Sequence, residues 1–314
     1  MSEPEVTSES LMMGGGGLAG LELRARQIVD GFLAGRHRGP RRGSSAEFAE
    51  HREYAAGDDL RYLDWKVYGK HDRYYLKQLE QETNFTCSLL LDVSPSMRFR
   101  SEHAPLSKLE FACVAASALA WLVLRQQDLV AVATLGEKAV TVAQPSGQPA
   151  QLRQIAGSLE RVCGRAHEQE ALDAPQSEAR QTVGCVHEWA ETCQNRGVVV
   201  VLSDCFGDPE SVLSSLRHLR SRRHDVILLH VIDPAEQDFP FDEPTRFHDL
   251  ESSGSQPADC RRIRAAYCAE FERFLRRLET DSRECGVDYA LLRTDAPVER
   301  GLAAFLSHRK MRGR

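Results

Sequence analysis

Asp92, Ser94 and Ser96 stand at alternate positions in the run LLLDVSPSM, residues 89–97. An acid and two hydroxyls at this spacing, just past an apolar strand, can turn three oxygens to one side of a loop. That is ligand chemistry for a hard cation, because Mg2+ takes oxygen donors in octahedral array. A second acid closes another apolar run, VVVVLSD at 198–204, so Asp204 is expected to reach the same ion from across a sheet rim. Neutral hydroxyls leave such a metal short of negative charge, and it would accept a further carboxylate, including one from a partner protein. The competing reading assigns Ser94 and Ser96 to capping the next turn or helix, and Asp92 to backbone amides. These residues alone leave both readings open.

The elements that must position them follow from hydrophobic patterning. From residue 87 onward, apolar strand-like runs (87–93, 129–135, 139–143, 198–204, 225–233 and 287–294) alternate with helix-like segments (about 106–125, 149–162, 177–195, 208–222, 261–284 and 297–308). Runs such as VVVVL show no period-two alternation, which marks strands buried on both faces. The segment at 208–222 has Asp208 as N-cap and Pro209 in its first turn. The pattern predicts an α/β fold: a doubly wound, mostly parallel, Rossmann-like sheet flanked by helices. Such sheets bind ligands beyond the carboxyl ends of their strands, where Asp92 and Asp204 are expected on one rim.

Ahead of this core, residues 1–19 contain GGGG and read as a disordered tail, and Leu21, Ile28 and Phe32 predict a short helix over 20–34. Residues 20–86 are expected to pack on the core domain of 87–308. Within that domain, 234–260 is too long and aromatic for a plain connection and reads as an insertion, expected to form an accessory layer with 44–80.

The 314 residues are 42% hydrophobic and 27% charged with a formal net charge of −6, which fits a globular chain and disfavours nucleic acid as a partner. One basic loop, GRHRGPRRG at 35–43, carries Arg36, Arg38, Arg41 and Arg42 without aromatics to stack bases, so it reads as a solvated linker. The nine cysteines include no C-x-x-C pair and are odd in number, which points to small core residues in a reducing, cytoplasmic setting rather than zinc ligands or a disulfide framework. The most apolar stretch, FACVAASALAWLVL at 111–124, is too short to span a bilayer and reads as a buried helix, so no transmembrane segment is expected.

Two features together resemble known families. Asp92-Val93-Ser94-Pro95-Ser96-Met97, with its strand and the later Ser203-Asp204, resembles the von Willebrand factor type A fold and its metal-ion-dependent adhesion site. The block EFAEHREYAAGDDLRYLDWKVYGKHDRYYLKQLEQE, residues 47–82, resembles the signature of the bacterial domain-of-unknown-function-58 family. Arg52, Tyr54, Gly57, Asp58, Arg61, Asp64 and Trp65 match its R-x-Y-x-x-G-D-x-x-R-x-x-D-W pattern. The likeness extends through FPFDEPTRFHDLE at 239–251 and covers roughly residues 20–308. It implies an adaptor associated with MoxR-type AAA+ ATPases in the assembly or maturation of other proteins, with no established reaction. It carries Asp92, Ser94, Ser96 and Asp204 over as ligands for Mg2+. One departure stands out. Type A domains usually supply a threonine from the loop before the helix that precedes the second acid strand, and that loop here, LERVCGRAHEQEALDAPQ, 159–176, holds no Ser or Thr. Glu168, Glu170 or Asp173 are the substitutes at hand.

Within 47–82, Arg52 and Asp64 read as an internal ion-pair network with Trp65 as a buried anchor, while Lys66, Tyr68, Lys70 and His71 read as partner contacts. The rival function is a metal-dependent phosphatase or other hydrolase using Asp92 and Asp204. Against it, the position two after Asp92 is a serine rather than an acid, and neither a phosphate-binding loop nor a nucleophile elbow is present. His187 and His230 fall within helix and strand patterns and read as core residues rather than bases. The expectation is therefore a non-enzymatic interaction module.

Overall fold

The structure, a computed structural model, describes residues 20–34, 51–53, 75–77, 85–171, 181–193, 196–248, 250 and 254–311. In chain order the elements are α1 (Leu21–Ala34), β1 (His51–Glu53), β2 (Tyr75–Lys77), β3 (Thr86–Asp92), α2 (Lys108–Leu124), β4 (Leu129–Leu135), β5 (Ala139–Ser146), α3 (Gln151–Ala171), α4 (Gln181–Thr192), β6 (Val198–Ser203), α5 (Pro209–Ser221), β7 (Asp225–Ile232), α6 (Pro234–Asp238), β8 (Thr245–His248), β9 (Ser255–Ala258), α7 (Cys260–Glu284), β10 (Asp288–Arg293) and α8 (Val298–Met311). The chain divides into two compact units, residues 1–35 with 85–314, and residues 36–84. The smaller contains the antiparallel pair β1–β2, with Arg52 opposite Leu76. The helix α1 belongs to the larger unit and packs on α2 and α3.

The large unit is built on a six-stranded sheet in the order β10-β7-β6-β3-β4-β5, parallel except for the antiparallel edge strand β5. Counting this sheet's strands along the chain, the order reads 6-5-4-1-2-3, the doubly wound arrangement. Neighbouring side chains on one strand point to opposite faces. Leu89 and Leu91 of β3 pack into the layer of α1, α2, α3 and α8, whereas Leu90 packs into the layer of α4, α5 and α7. Val198, Val200 and Leu202 divide from Val199 and Val201 in the same way. With both faces covered, the strands need apolar residues at every position, which is why β3 and β6 read as unbroken runs.

Between sheet and outer helices lies α2, whose residues from Lys108 to Ala120 are all buried. It begins in a reciprocal cap: the Ser107 hydroxyl accepts from the Glu110 amide at 3.2 Å, and the Glu110 carboxylate accepts from the Ser107 amide at 2.9 Å. Among the described residues no helix is long and apolar enough to cross a membrane. At α5, Asp208 takes the expected cap role, its carboxylate accepting from the Ser211 amide at 3.0 Å.

The largest departure from the expected boundaries concerns 159–176. Most of it is helix, because α3 continues to Ala171, well past the expected end near 162. Leu159, Cys163 and Ala166 keep its buried face going through Gly164. The insertion contains α6 and the hairpin β8–β9, with Phe247 opposite Gln256. Phe239, Phe241 and Phe247 gather against Tyr267 of α7, the Phe239 and Tyr267 rings lying 4.5 Å apart. The expected tail at 1–19, the basic loop at 35–43, the side chains of the 47–82 block and its layer with the insertion, and the side chains of Glu168, Glu170 and Asp173 lie outside the described residues.

Candidate functional site

Strand β3 ends on Asp92, and β6 ends on Ser203 with Asp204 next. The two strands are parallel neighbours, with Leu91 opposite Leu202. They are also the pair at which the strand order reverses, so their carboxyl ends flank the crevice where doubly wound sheets take ligands. Asp92, Ser94, Ser96 and Asp204 thus meet at one rim.

The chain leaves β3 through Val93 and Ser94 into a 3-10 turn, Pro95–Arg98. The Ser94 amide donates to Asp92 Oδ1 at 2.9 Å, and the Ser94 and Ser96 hydroxyls lie 3.1 Å apart. Ser96 also donates to Asp204, and the Ser203 hydroxyl donates to Asp92 Oδ2 at 2.6 Å. Beyond Asp204 the backbone turns sharply. Cys205 takes a left-handed φ of 53°, which few non-glycine residues adopt, and Gly207 follows at 121°. This bend keeps Asp204 Oδ1 on the Phe206 amide, at 3.1 Å, and leaves the Phe206 ring 58% exposed beside the rim.

Three residues that sequence reasoning did not place complete the site. Lys108, the first residue of α2, has 1% of its side chain exposed, and its Nζ donates to Asp204 Oδ2 at 2.7 Å and Glu236 Oε1 at 2.5 Å. Glu236 lies in α6, where its Oε2 accepts from the Asp233 amide at 2.8 Å. Asp233 follows β7 and is fully buried; its oxygens accept from the Ala235 amide at 2.8 Å and the Ser101 amide at 2.9 Å. The S-x-x-E and D-P-x-E capping patterns were visible in the sequence, but neither says which distant residues will meet.

The electrostatics follow from burial. Burial alone would pull the Lys108 ammonium down, yet the two carboxylates outweigh it and hold its pKa above the ordinary value. Burial would likewise raise Asp204, but the charge and hydrogen bond of Lys108 bring it below the usual range. For Asp92, burial and then the charge of Asp204 push the pKa up to about 6, against the pull of the Ser203 and Ser94 hydrogen bonds. His230 of β7 is buried as expected, its Nε2 at 2.9 Å from the Asp204 carbonyl and its Nδ1 at 2.9 Å from the Tyr289 hydroxyl. A carbonyl only accepts, so Nε2 carries the proton and Nδ1 accepts from Tyr289. His187 stacks on His218 with ring centroids 4.6 Å apart.

These contacts decide how well the rim suits Mg2+. Both oxygens of Asp92 and both of Asp204 accept hydrogen bonds, and the cation against Asp204 is the chain's own ammonium. A divalent ion at the same oxygens would sit within repulsive range of the Lys108 charge. The donor set, arranged in this way, does not fit Mg2+.

Comparison with known proteins places the chain in a wider group. It is 29% identical over 303 residues to uncharacterized proteins of Mycobacterium bovis and Mycobacterium tuberculosis, covering 92% of this chain and 88% of each relative. Among solved structures, the conserved hypothetical protein BatB from Bacteroides thetaiotaomicron aligns over 72% of this chain and 99% of its own, with 16% identity and a TM-score of 0.43. The SpRpn10 VWA domain aligns over 71% of this chain and 94% of its own, with 8% identity and a TM-score of 0.36. The profile of the protein family of unknown function DUF58 matches residues 50–275, which take in the acid-serine turn, Asp204, Lys108 and Glu236, and the chain belongs to that family.

Proposed function

We propose that the protein is a non-enzymatic interaction module that docks other proteins at the carboxyl rim of its sheet. In this reading it works with a MoxR-type AAA+ ATPase in the cytoplasm to assemble or mature client proteins. The observation that carries the reading is Phe206, a 58% exposed aromatic ring held out beside a rim whose polar groups are buried and mutually bonded. Aromatic anchors over a desolvated floor are where protein interfaces concentrate their binding energy. The Phe206 amide is held on Asp204 Oδ1, which sets the residue beside the rim before any partner arrives.

A hydrolase would need Asp92 free to attack, and Asp92 is 3% exposed with both oxygens hydrogen-bonded. The resemblance of the 47–82 block to its family signature supports the ATPase partnership, and the free cysteines fit a reducing compartment. The test is surface plasmon resonance with the purified MoxR-type ATPase of the same genome. Saturable binding that weakens at least about tenfold in Phe206→Ala supports the reading. Binding unaffected by that change, or none, rejects the rim as the contact.

A further inference from the structure

We propose that the Lys108 ammonium is the resident cation of this rim, built into the chain in the place where a divalent metal would otherwise be bound. The position of the lysine is the first argument. It is the first residue of a long helix, at the positive end of the helix dipole, and is almost completely shielded from water. Both circumstances oppose a cation there. A lysine held in such a place must be matched by anions, and it is: Asp204 at 2.7 Å and Glu236 at 2.5 Å.

The second argument is the origin of those anions. Asp204 comes from the end of β6 at the topological switch, with Ser96 from the β3 turn bonded to it, and Glu236 comes from the short helix after β7. Three separate strand ends thus turn oxygen toward this one corner, an arrangement that gathers negative charge and needs a positive centre. The ammonium supplies that centre and donates hydrogen bonds, which an ion of fixed octahedral demand could not do within the same contacts.

A third point concerns Glu236. Its Oε2 is anchored on the Asp233 amide, so Oε1 is presented to Lys108 by the capping box of α6 rather than by chance surface contact. The carboxylate that completes the cation's coordination is therefore intramolecular. This inference concerns the cation and stands whether or not the rim docks a partner.

The experiment uses the full chain after dialysis against EDTA. Mn2+ binding is followed by electron paramagnetic resonance, and thermal unfolding is followed with and without Mg2+. Wild type is expected to give no saturable Mn2+ signal at millimolar metal and no Mg2+-dependent rise in melting temperature. Lys108→Ala, with its acids left uncompensated, is expected to gain Mn2+ affinity by at least about tenfold and to become stabilised by Mg2+. Where Lys108→Ala does not fold, Lys108→Ala combined with Glu236→Gln removes one uncompensated charge and is read in the same way. Saturable Mn2+ binding by wild type that Asp204→Asn abolishes would overturn the proposal. So would a folded Lys108-less chain that binds no more metal than wild type.

Discussion

The Nζ of Lys108 lies 2.7 Å from Oδ2 of Asp204, with 1% and 3% of the two side chains exposed. A pair so well shielded from water is costly to break from one side, because the survivor is left charged and buried. Replacing Lys108 by Met is expected to destabilise the protein by about 3–5 kcal/mol in urea denaturation. Combining it with Asp204→Asn and Glu236→Gln should recover most of that loss, since no uncompensated charge then remains. A triple variant as unstable as the single one would show that the lysine's packing, and not its charge, is what matters.

Phe206 touches this network only through its backbone amide, which donates to Asp204 Oδ1, and the residue is 58% exposed. Phe206→Ala should leave unfolding free energy within about 0.5 kcal/mol of wild type, as exposed substitutions do. Its effect is expected in partner binding alone. A large fall in stability would move the ring from docking surface to core.

Two of the shifted buried groups, His230 and Asp92, pull acid stability in opposite directions. Burial holds His230 down to about 4 in the folded chain, so the unfolded chain binds a proton first. This term removes up to about 3 kcal/mol of stability as pH falls from about 6.5 to about 4. Asp92 is pushed up to about 6, so the folded chain binds that proton first. That term restores about 3 kcal/mol as pH falls from about 6 towards its ordinary value. The two terms oppose each other across this window. Asp92→Asn removes the restoring term, and its unfolding free energy should drop more steeply than wild type between neutral pH and pH of about 4.5. Parallel profiles for the two proteins would refute the assignment.

Asp233 links the loop before α2 to the insertion, through the Ser101 and Ala235 amides. Asp233→Ala leaves both donors without that acceptor and should cost about 1–3 kcal/mol. Hydrogen exchange should quicken at Ser101 and Ala235 ahead of the sheet amides. Uniform acceleration across the sheet would mean instead that the whole domain has loosened.

The sheet and the acid-serine rim were legible in the sequence because their signals are local. VVVVLSD carries both the double-sided burial of β6 and the acid at its end, and DVSPS places three oxygens within five residues. Lys108 gave no such signal. After Ser107 and before Leu109 it reads as a solvated lysine at a helix start, and its partners lie 96 and 128 residues further on. The length of α3 was misjudged for a related reason. Gly164 and the charged residues around it suggest a helix end, whereas packing of Leu159, Cys163 and Ala166 sustains the helix. Tertiary burial, rather than propensity, decided that boundary.

The wide separation of Lys108 from its two carboxylates has a consequence for biosynthesis. A ribosome delivers the N-terminal part first, so α2 emerges with its lysine while Asp204 and Glu236 are still untranslated. Until both acids have left the exit tunnel, the ammonium has every reason to remain hydrated, and the start of α2 cannot settle against the sheet. The segment from residue 204 to 236 therefore governs when the head of α2 locks, and a nascent chain stalled before residue 204 should be open to proteases at the head of α2.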